Sequence, residues 1–216
     1  MIQSLSLIGY GEAGRCFAVA ADWGGEAHVY DIRPLASLYA EDGVTGTATL
    51  AVALAGKDLI ISLVTADQSL DVALHAAPHL ATGALYFDMN SVAPETKRQA
   101  AKAIEAAGAC YVDVAVMSPV HPARMAVPLL LSGPHVAAGT EALTALGFTN
   151  IASAGEKLGR ASTIKMLRSV MYKGMEALTA ECLIACQAAG VTDEVLGSFA
   201  QGVGGNDWAS GADYRI

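Results

Sequence analysis

Short apolar runs alternate with helix-like segments over the first two thirds of the chain. Ser4–Ile8 is an apolar run that ends in glycines, and a helix follows from about Gly14 to Trp23. Ala27–Asp31, Asp58–Val64 and Ala84–Asp88 are three further strand-like runs, the second almost continuously apolar. A helix is predicted from about Pro94 to Ala107, then strands over Cys110–Val116 and Val127–Ser132, then a helix over Pro134–Leu146. Continuous apolar strands between helices indicate a parallel sheet covered on both faces. The expected fold class is α/β: a Rossmann-type doubly wound parallel sheet over residues 1–157. The pattern then changes. Between Arg160 and Ala189 there is no proline and no strand signal, and Ile164, Leu167, Met171, Met175, Leu178 and Cys182 recur at helical spacing. A long helix therefore opens a second, all-α domain over 158–216, stopped near Gly190 and followed by a short helical stretch and a glycine-rich end (GVGGND, GADYRI).

Composition narrows the function. The 216 residues are 53% hydrophobic and 16% charged, which excludes intrinsic disorder. With a net charge of −8 there is no basic excess for a nucleic-acid backbone or an anionic membrane surface. The apolar runs are too short to span a bilayer, and Met1–Ile8 has no charged region ahead of its apolar stretch, so no leader is expected. Cysteines stand at 16, 110, 182 and 186 without a CxxC or a disulfide-framework pattern, which points to reduced thiols in the cytoplasm.

The chemistry begins at Gly9-Tyr10-Gly11-Glu12-Ala13-Gly14, a GxGxxG placed between a predicted strand and a predicted helix. The first glycine permits the tight turn, the second lets backbone approach a pyrophosphate, and the third lets helix and strand pack closely. The helix N-terminus offers free N–H groups and a positive dipole end. Asp31 lies 22 residues after Gly9, where a carboxylate accepts hydrogen bonds from an adenosine ribose and repels a 2′-phosphate. That favours NAD over NADP. Arg33, two residues on, is either a solvated surface charge or a partner for that phosphate.

At this point the sequence resembles a family. GYGEAG, LVTADQS, DMNSVAPET, YVDVAVMSPV, LLLSGP and GRASTIKMLRS occur in the order and spacing of the β-hydroxyacid dehydrogenases, a superfamily that includes 3-hydroxyisobutyrate and 6-phosphogluconate dehydrogenases. The similarity runs from about residue 5 to 190 and is greatest to a phosphogluconate-dehydrogenase-like branch with a KMLRS…KG.EAL..E helix. It implies that Gly9, Gly11, Glu12, Ala13 and Gly14 form the pyrophosphate loop and that Asp31 is the ribose position. Val64 and Thr65 then form the loop over the adenosine side, and Asn90 and Ser91 the polar pair at the nicotinamide end. Lys165 matches the catalytic lysine, and Asp113–Val120 the substrate loop. Two departures stand out. The substrate loop has Val116-Met117-Ser118-Pro119 in place of the family's glycines, so Met117, Ser118 and His121 become the candidate substrate contacts. Ser169 replaces the family's asparagine four residues after the lysine, and Arg168 and Tyr172 replace other 6-phosphogluconate contacts, which argues against that substrate.

The residues themselves agree in outline. Lys165, Ser169, Tyr172 and Glu176 fall on one helical face, away from the apolar stripe. The plainer reading of such a face is solvated surface, and the resemblance is what makes Lys165 a general acid/base candidate with Ser169 and Tyr172 beside it. A lysine serves as a base near neutrality only when burial or a nearby cation lowers its pKa, and Arg168 or the oxidised nicotinamide is the expected cation. Cys182 and Cys186 read as core packing, the five histidines form no ligand pattern, and no metal is expected. The expected function is an NAD(P)-dependent dehydrogenase or reductase acting on the CH–OH group of a small 3-hydroxy acid or sugar-acid-like substrate. The alternative is a non-catalytic dinucleotide-binding redox sensor. The resemblance further implies that the helical domain continues past Ile216. The first domain is expected to cover Ile164 and Leu167, and a homodimer the Met175–Ala189 half of the helix.

Overall fold

The computed structural model describes residues 4–202; residues 203–216, with most of the glycine-rich end, lie outside the described residues. In chain order, β1 (Leu5–Ile8), α1 (Glu12–Ala20), β2 (Ala27–Tyr30), α2 (Ala36–Asp42), β3 (Thr45–Gly46), α3 (Leu50–Leu54), β4 (Leu59–Ser62) and α4 (Ser69–Ala76) come first. They are followed by β5 (Leu85–Asp88), α5 (Pro94–Ala106), β6 (Cys110–Val116), β7 (Leu129–Ser132), α6 (Val136–Ala145) and β8 (Ile151–Ser153). Two helices, α7 (Arg160–Ala189) and α8 (Thr192–Gly202), complete the described chain. The eight strands form one sheet in the order β3-β2-β1-β4-β5-β6-β7-β8.

Because side chains alternate across a strand, the sheet feeds two cores. Leu5, Leu7, Ile61, Phe87 and Val112 face Phe17 of α1 and Leu143 of α6. Ile8, Ile60, Tyr86 and Tyr111 face Ala73 and Ala76 of α4 and Ala100, Ala101 and Ile104 of α5. Small residues on the helices let them lie close to the strands. At Gly139 in α6 an added Cβ would come within 3.1 Å of Val112. Truncating a fully buried ring such as Phe17 to alanine in a core of this kind costs about 3–5 kcal/mol.

Three expectations need correction. The sheet is not wholly parallel: β6 and β7 pair antiparallel, with Val114 opposite Leu131. Between these strands lies only a three-residue 3₁₀ turn, Arg124–Ala126, and no α-helix to carry the chain back for a parallel return. Helix α1 starts at Glu12 and stops at Ala20, earlier at both ends than expected. Its cap is Gly11, and past Ala21 the chain turns through Asp22 at φ 51 so that the buried Trp23 can donate its indole N–H to the Leu146 carbonyl (3.0 Å). Thirdly, the sheet domain does not cover Leu167, which is 68% exposed. The first turns of α7 present Ala161, Ser162, Lys165 and Met166 inward, so Ile164 and Leu167 point away.

The chain divides into two compact units, Met1–Leu167 and Arg168–Ile216. The opening turns of α7 thus belong with the sheet, a division ten residues later than the expected one at 157. In the second unit Cys186 is buried with its sulfur 3.9 Å from that of Cys182, while Met171 and Leu178 are 60% and 69% exposed. Among the described residues, no helix is long and apolar enough to cross a membrane.

Candidate active site

The site forms at the carboxyl ends of the strands, around the point where the strand order reverses between β1 and β4. The three glycines after β1 divide by role. Gly9 takes φ +94, and an added Cβ would lie 2.3 Å from the Leu63 carbonyl oxygen. At Gly14 a Cβ would lie 2.4 Å from the Gly9 carbonyl oxygen, so α1 crosses its own loop in direct backbone contact. These two glycines build the turn. At Gly11 nothing lies within 4 Å of an added Cβ. The first intrahelical bond runs from Arg15 N–H to the Gly11 carbonyl (3.0 Å), which leaves the Glu12, Ala13 and Gly14 N–H groups at the open helix end. Open space over a glycine, facing a positive helix terminus, fits a dinucleotide pyrophosphate.

Asp31 lies just past β2 and is tied into the same loop. Its Oδ2 accepts the Tyr10 N–H (2.8 Å), and the Arg33 guanidinium grips both carboxylate oxygens at 2.9 Å. Burial pushes the Asp31 pKa up, but the Arg33 fork and the Tyr10 and Arg33 backbone N–H groups outweigh it and hold the carboxyl at about 2. Arg33 is thus not a free surface charge; it is paired with the residue expected to read the ribose.

On the far side of the sheet's crevice, Asn90 is almost fully buried and engaged by protein at both ends of its amide. Its Oδ1 accepts the Val64 N–H (2.7 Å), and its Nδ2 donates to Ser62 Oγ (3.0 Å) and Asp88 Oδ1 (2.8 Å). Asn90 therefore fixes the Val64 loop, and the neighbouring Ser91 is the exposed member of the pair. Lys165 Nζ donates to Ser91 Oγ (2.5 Å). Burial lowers the Lys165 pKa, the Lys97 ammonium lowers it further, and Asp113 opposes both, leaving it at about 8 against an ordinary 10.5. A cation is at work as expected, but it is Lys97, a residue that the sequence reading passed over.

A cleft of 350 Å³ joins these groups; Glu12, Ala13, Val64, Asn90, Ser91, Ser118 and Lys165 line it together with apolar Leu63, Met89, Val116 and Val120. Met117 and His121 are not among its lining residues, nor is Thr65, which sits exposed at the head of the turn after Val64. Ser169 and Tyr172 belong to the second unit, where the Arg168 guanidinium lies 4.6 Å from the Tyr172 ring centroid.

Beneath the cleft is a polar cluster with no exposed member. Lys97 Nζ donates to the Asp88 carbonyl (2.5 Å) and to Asp88 Oδ1 (2.9 Å), and lies 3.5 Å from Asp113 Oδ1. Tyr111 donates its hydroxyl to Asp88 Oδ2 (2.6 Å). Asp113 Oδ2 accepts from Ser132 Oγ (2.9 Å) and from the Ser162 N–H (3.2 Å), and Ser132 Oγ accepts the Ala161 N–H (3.0 Å). The first turn of α7 is therefore capped by β6 and β7.

Comparison with known proteins places this geometry. Residues 4–153 match the NAD binding domain of 6-phosphogluconate dehydrogenase, a stretch that holds the glycine loop, Asp31 and Asn90 but ends before Lys165. A conserved hypothetical protein of known structure from Sinorhizobium meliloti 1021 is 38% identical, with a TM-score of 0.79 over 99% of this chain and 74% of that one. An uncharacterised 28.5 kDa protein of Methanothermus fervidus is 32% identical over 64% of this chain, and the chain spans only 52% of that relative's length. The 3-hydroxyisobutyrate dehydrogenase of Pseudomonas aeruginosa is 27% identical over 96% of this chain and 72% of its own. The chain thus belongs to the β-hydroxyacid dehydrogenase superfamily, with residues 4–153 as its nicotinamide-dinucleotide-binding domain.

Proposed function

We propose that this protein is an NAD(P)-dependent oxidoreductase acting on the CH–OH group of a small 3-hydroxy acid, with Lys165 as its general acid/base. The observation that carries the reading is the placement of Lys165: its amine, at a pKa of about 8, lies on Ser91 in the cleft that Glu12 and Ala13 of the glycine loop also line. The dinucleotide supplies the hydride acceptor or donor. The Glu12, Ala13 and Gly14 N–H groups would hold its pyrophosphate and Asp31 its ribose. In the oxidative direction neutral Lys165 takes the hydroxyl proton as hydride leaves the same carbon, and becomes an ammonium. In the reductive direction that ammonium returns the proton to the forming alkoxide. Ser118, in the cleft wall, and Ser91 are the candidate hydroxyl contacts for substrate; Ser169 and Tyr172 stay proposed catalytic residues on the family resemblance alone. The paired Asp31 and Arg33 support NAD over NADP, because the Asp31 carboxylate already occupies the guanidinium that would otherwise receive a 2′-phosphate.

A cytoplasmic homodimer completes the proposal, supported by the unpaired cysteine pattern and by the exposed apolar positions along α7. The test is direct. Full-length protein incubated with NAD or NADP and a panel of small 3-hydroxy acids reduces the nicotinamide with at least one of them, and Lys165→Met abolishes it. Nicotinamide reduction with none of the panel would count against the reading, and binding of NADH alone would leave the redox sensor.

A further inference from the structure

The members of the buried cluster beneath the cleft lead to both sides of the site. Lys97, Asp88 and Asp113 are each 0% exposed. A lysine taken out of water requires partners on every proton. Lys97 donates to the Asp88 carbonyl and the Asp88 carboxylate, and its third neighbour is Asp113 Oδ1 at 3.5 Å, an ion pair without a hydrogen bond. Each carboxylate also accepts from a different part of the site. Asp88 Oδ1 accepts both the backbone N–H and the amide N–H of Asn90 (3.0 and 2.8 Å), and Asn90 in turn holds the Val64 N–H. Asp113 Oδ2 accepts the Ser162 N–H and hydroxyl (3.2 Å each) at the opening of α7, one turn ahead of Lys165. The helix has no capping side chain of its own there. Its entry passes through Gly159 at φ +84, where an added Cβ would come within 3.0 Å of the Arg98 guanidinium. A carboxylate at a helix N-terminus is favoured by the free N–H groups and by the dipole.

We propose that Lys97 is a positioning residue of the active site: by holding Asp88 and Asp113 together it sets the Asn90–Val64 loop on one side of the cleft and the Lys165-bearing turn of α7 on the other. This rests on the proposed role of Lys165. It goes beyond that role by linking the acid/base to the nucleotide loop through one buried cation.

The arrangement has an electrical consequence. The groups that face Lys165 are Lys97 from α5, Asp113 from β6, the Ser91 hydroxyl and, across the cleft, Glu12 from α1. Lys97 and Asp113 act on it with opposite signs. Removing one or the other therefore moves the Lys165 midpoint in opposite directions, whereas simple loosening of the site would hydrate Lys165 and move it only upward.

The test measures the Lys165 midpoint by competitive amine labelling against pH, with mass spectrometry of the Lys165 peptide, on full-length protein without substrate. Asp113→Asn keeps the Lys97–Asp88 pair and removes the attraction; the midpoint is expected to fall below 8 by about one pH unit. In the same variant the Ser162 amide is expected to exchange about tenfold faster, because a capping carboxylate has become a weaker acceptor. Lys97→Met with Asp88→Asn keeps the cluster's net charge and removes the repulsion; the midpoint is expected to rise by about one unit. A midpoint unchanged in natively folded Asp113→Asn protein, or rising in both variants, overturns the proposal. If the double variant does not fold, Asp113→Asn decides alone. None of these readouts depends on turnover. If Lys165→Met retains hydride transfer while the midpoints move in opposite directions, the acid/base role fails and the positioning role stands.

Discussion

Replacing Gly11 with valine separates nucleotide binding from folding. Gly11 has φ −82, which any residue adopts, and its Cβ direction is open to beyond 4 Å. The side chain therefore enters space that the free protein leaves empty. The folding cost is that of a poorer helix cap, about 1 kcal/mol, or a fall in Tm of roughly 3 °C for a domain of this size. The binding cost is larger, because a branched side chain at the open end of α1 keeps a pyrophosphate from the first-turn N–H groups. Loss of two charge-assisted hydrogen bonds at about 1.5–3 kcal/mol each weakens binding by roughly 10²–10⁴-fold. Gly14→Ala supplies the contrast. Its Cβ would lie 2.4 Å from the Gly9 carbonyl oxygen, so helix and loop must part, at about 1–3 kcal/mol of stability. The assays are NADH titration by fluorescence or calorimetry and thermal unfolding of the same preparations. Unchanged NADH affinity in Gly11→Val refutes the assigned pyrophosphate site. A Tm loss in Gly11→Val as large as in Gly14→Ala refutes the division of labour between the glycines.

Removing the carboxylate in Asp31→Ser frees the Arg33 guanidinium from its bidentate partner, and the ratio of NADP to NAD affinity is expected to rise at least about tenfold; a wild-type protein that already prefers NADP shows instead that Arg33 dominates. In the reductive direction the Lys165 ammonium is the proton donor, so with a keto-acid substrate the rate is expected to fall as pH rises through about 8, checked by NADH consumption across pH 6–10. Full-length protein at micromolar concentration is expected to scatter light as a dimer, and Leu178→Glu with Ile184→Glu to shift it toward monomer; a one-subunit mass for the unmutated protein removes the proposed interface.

The nucleotide half was legible because its signals are local. A glycine turn, an acid 22 residues on and buried runs of four to seven apolar residues each fix their own element. Pairing direction is not local. Val127–Ser132 reads the same whether it joins β6 parallel or antiparallel, and what decides is the missing crossover helix. The deepest part of the site was missed for a similar reason, although a signal was present. Lys97 falls in register with Ala100, Ala101 and Ile104 on the buried face of α5, and a charge on an apolar face marks a buried partner. The partners, Asp88 and Asp113, come from strands paired directly in register, a relation that only the folded sheet reveals. Arg33 shows the converse: two residues from Asp31, its position in the sequence suits either a surface charge or a phosphate partner, and the fold turns it back onto Asp31 itself.

The central claim is that Lys165 moves the proton while a nicotinamide moves the hydride. The most direct measurement is pre-steady-state reduction of NAD by a panel of small 3-hydroxy acids, from pH 6 to 10, on full-length wild-type and Lys165→Met protein. The account predicts a hydride-transfer rate that rises about tenfold per pH unit, levels off near pH 8 as the Lys165 amine becomes neutral, and falls by at least about 10²-fold in Lys165→Met with NADH affinity retained. Equal rates and equal pH profiles in the two proteins would contradict it.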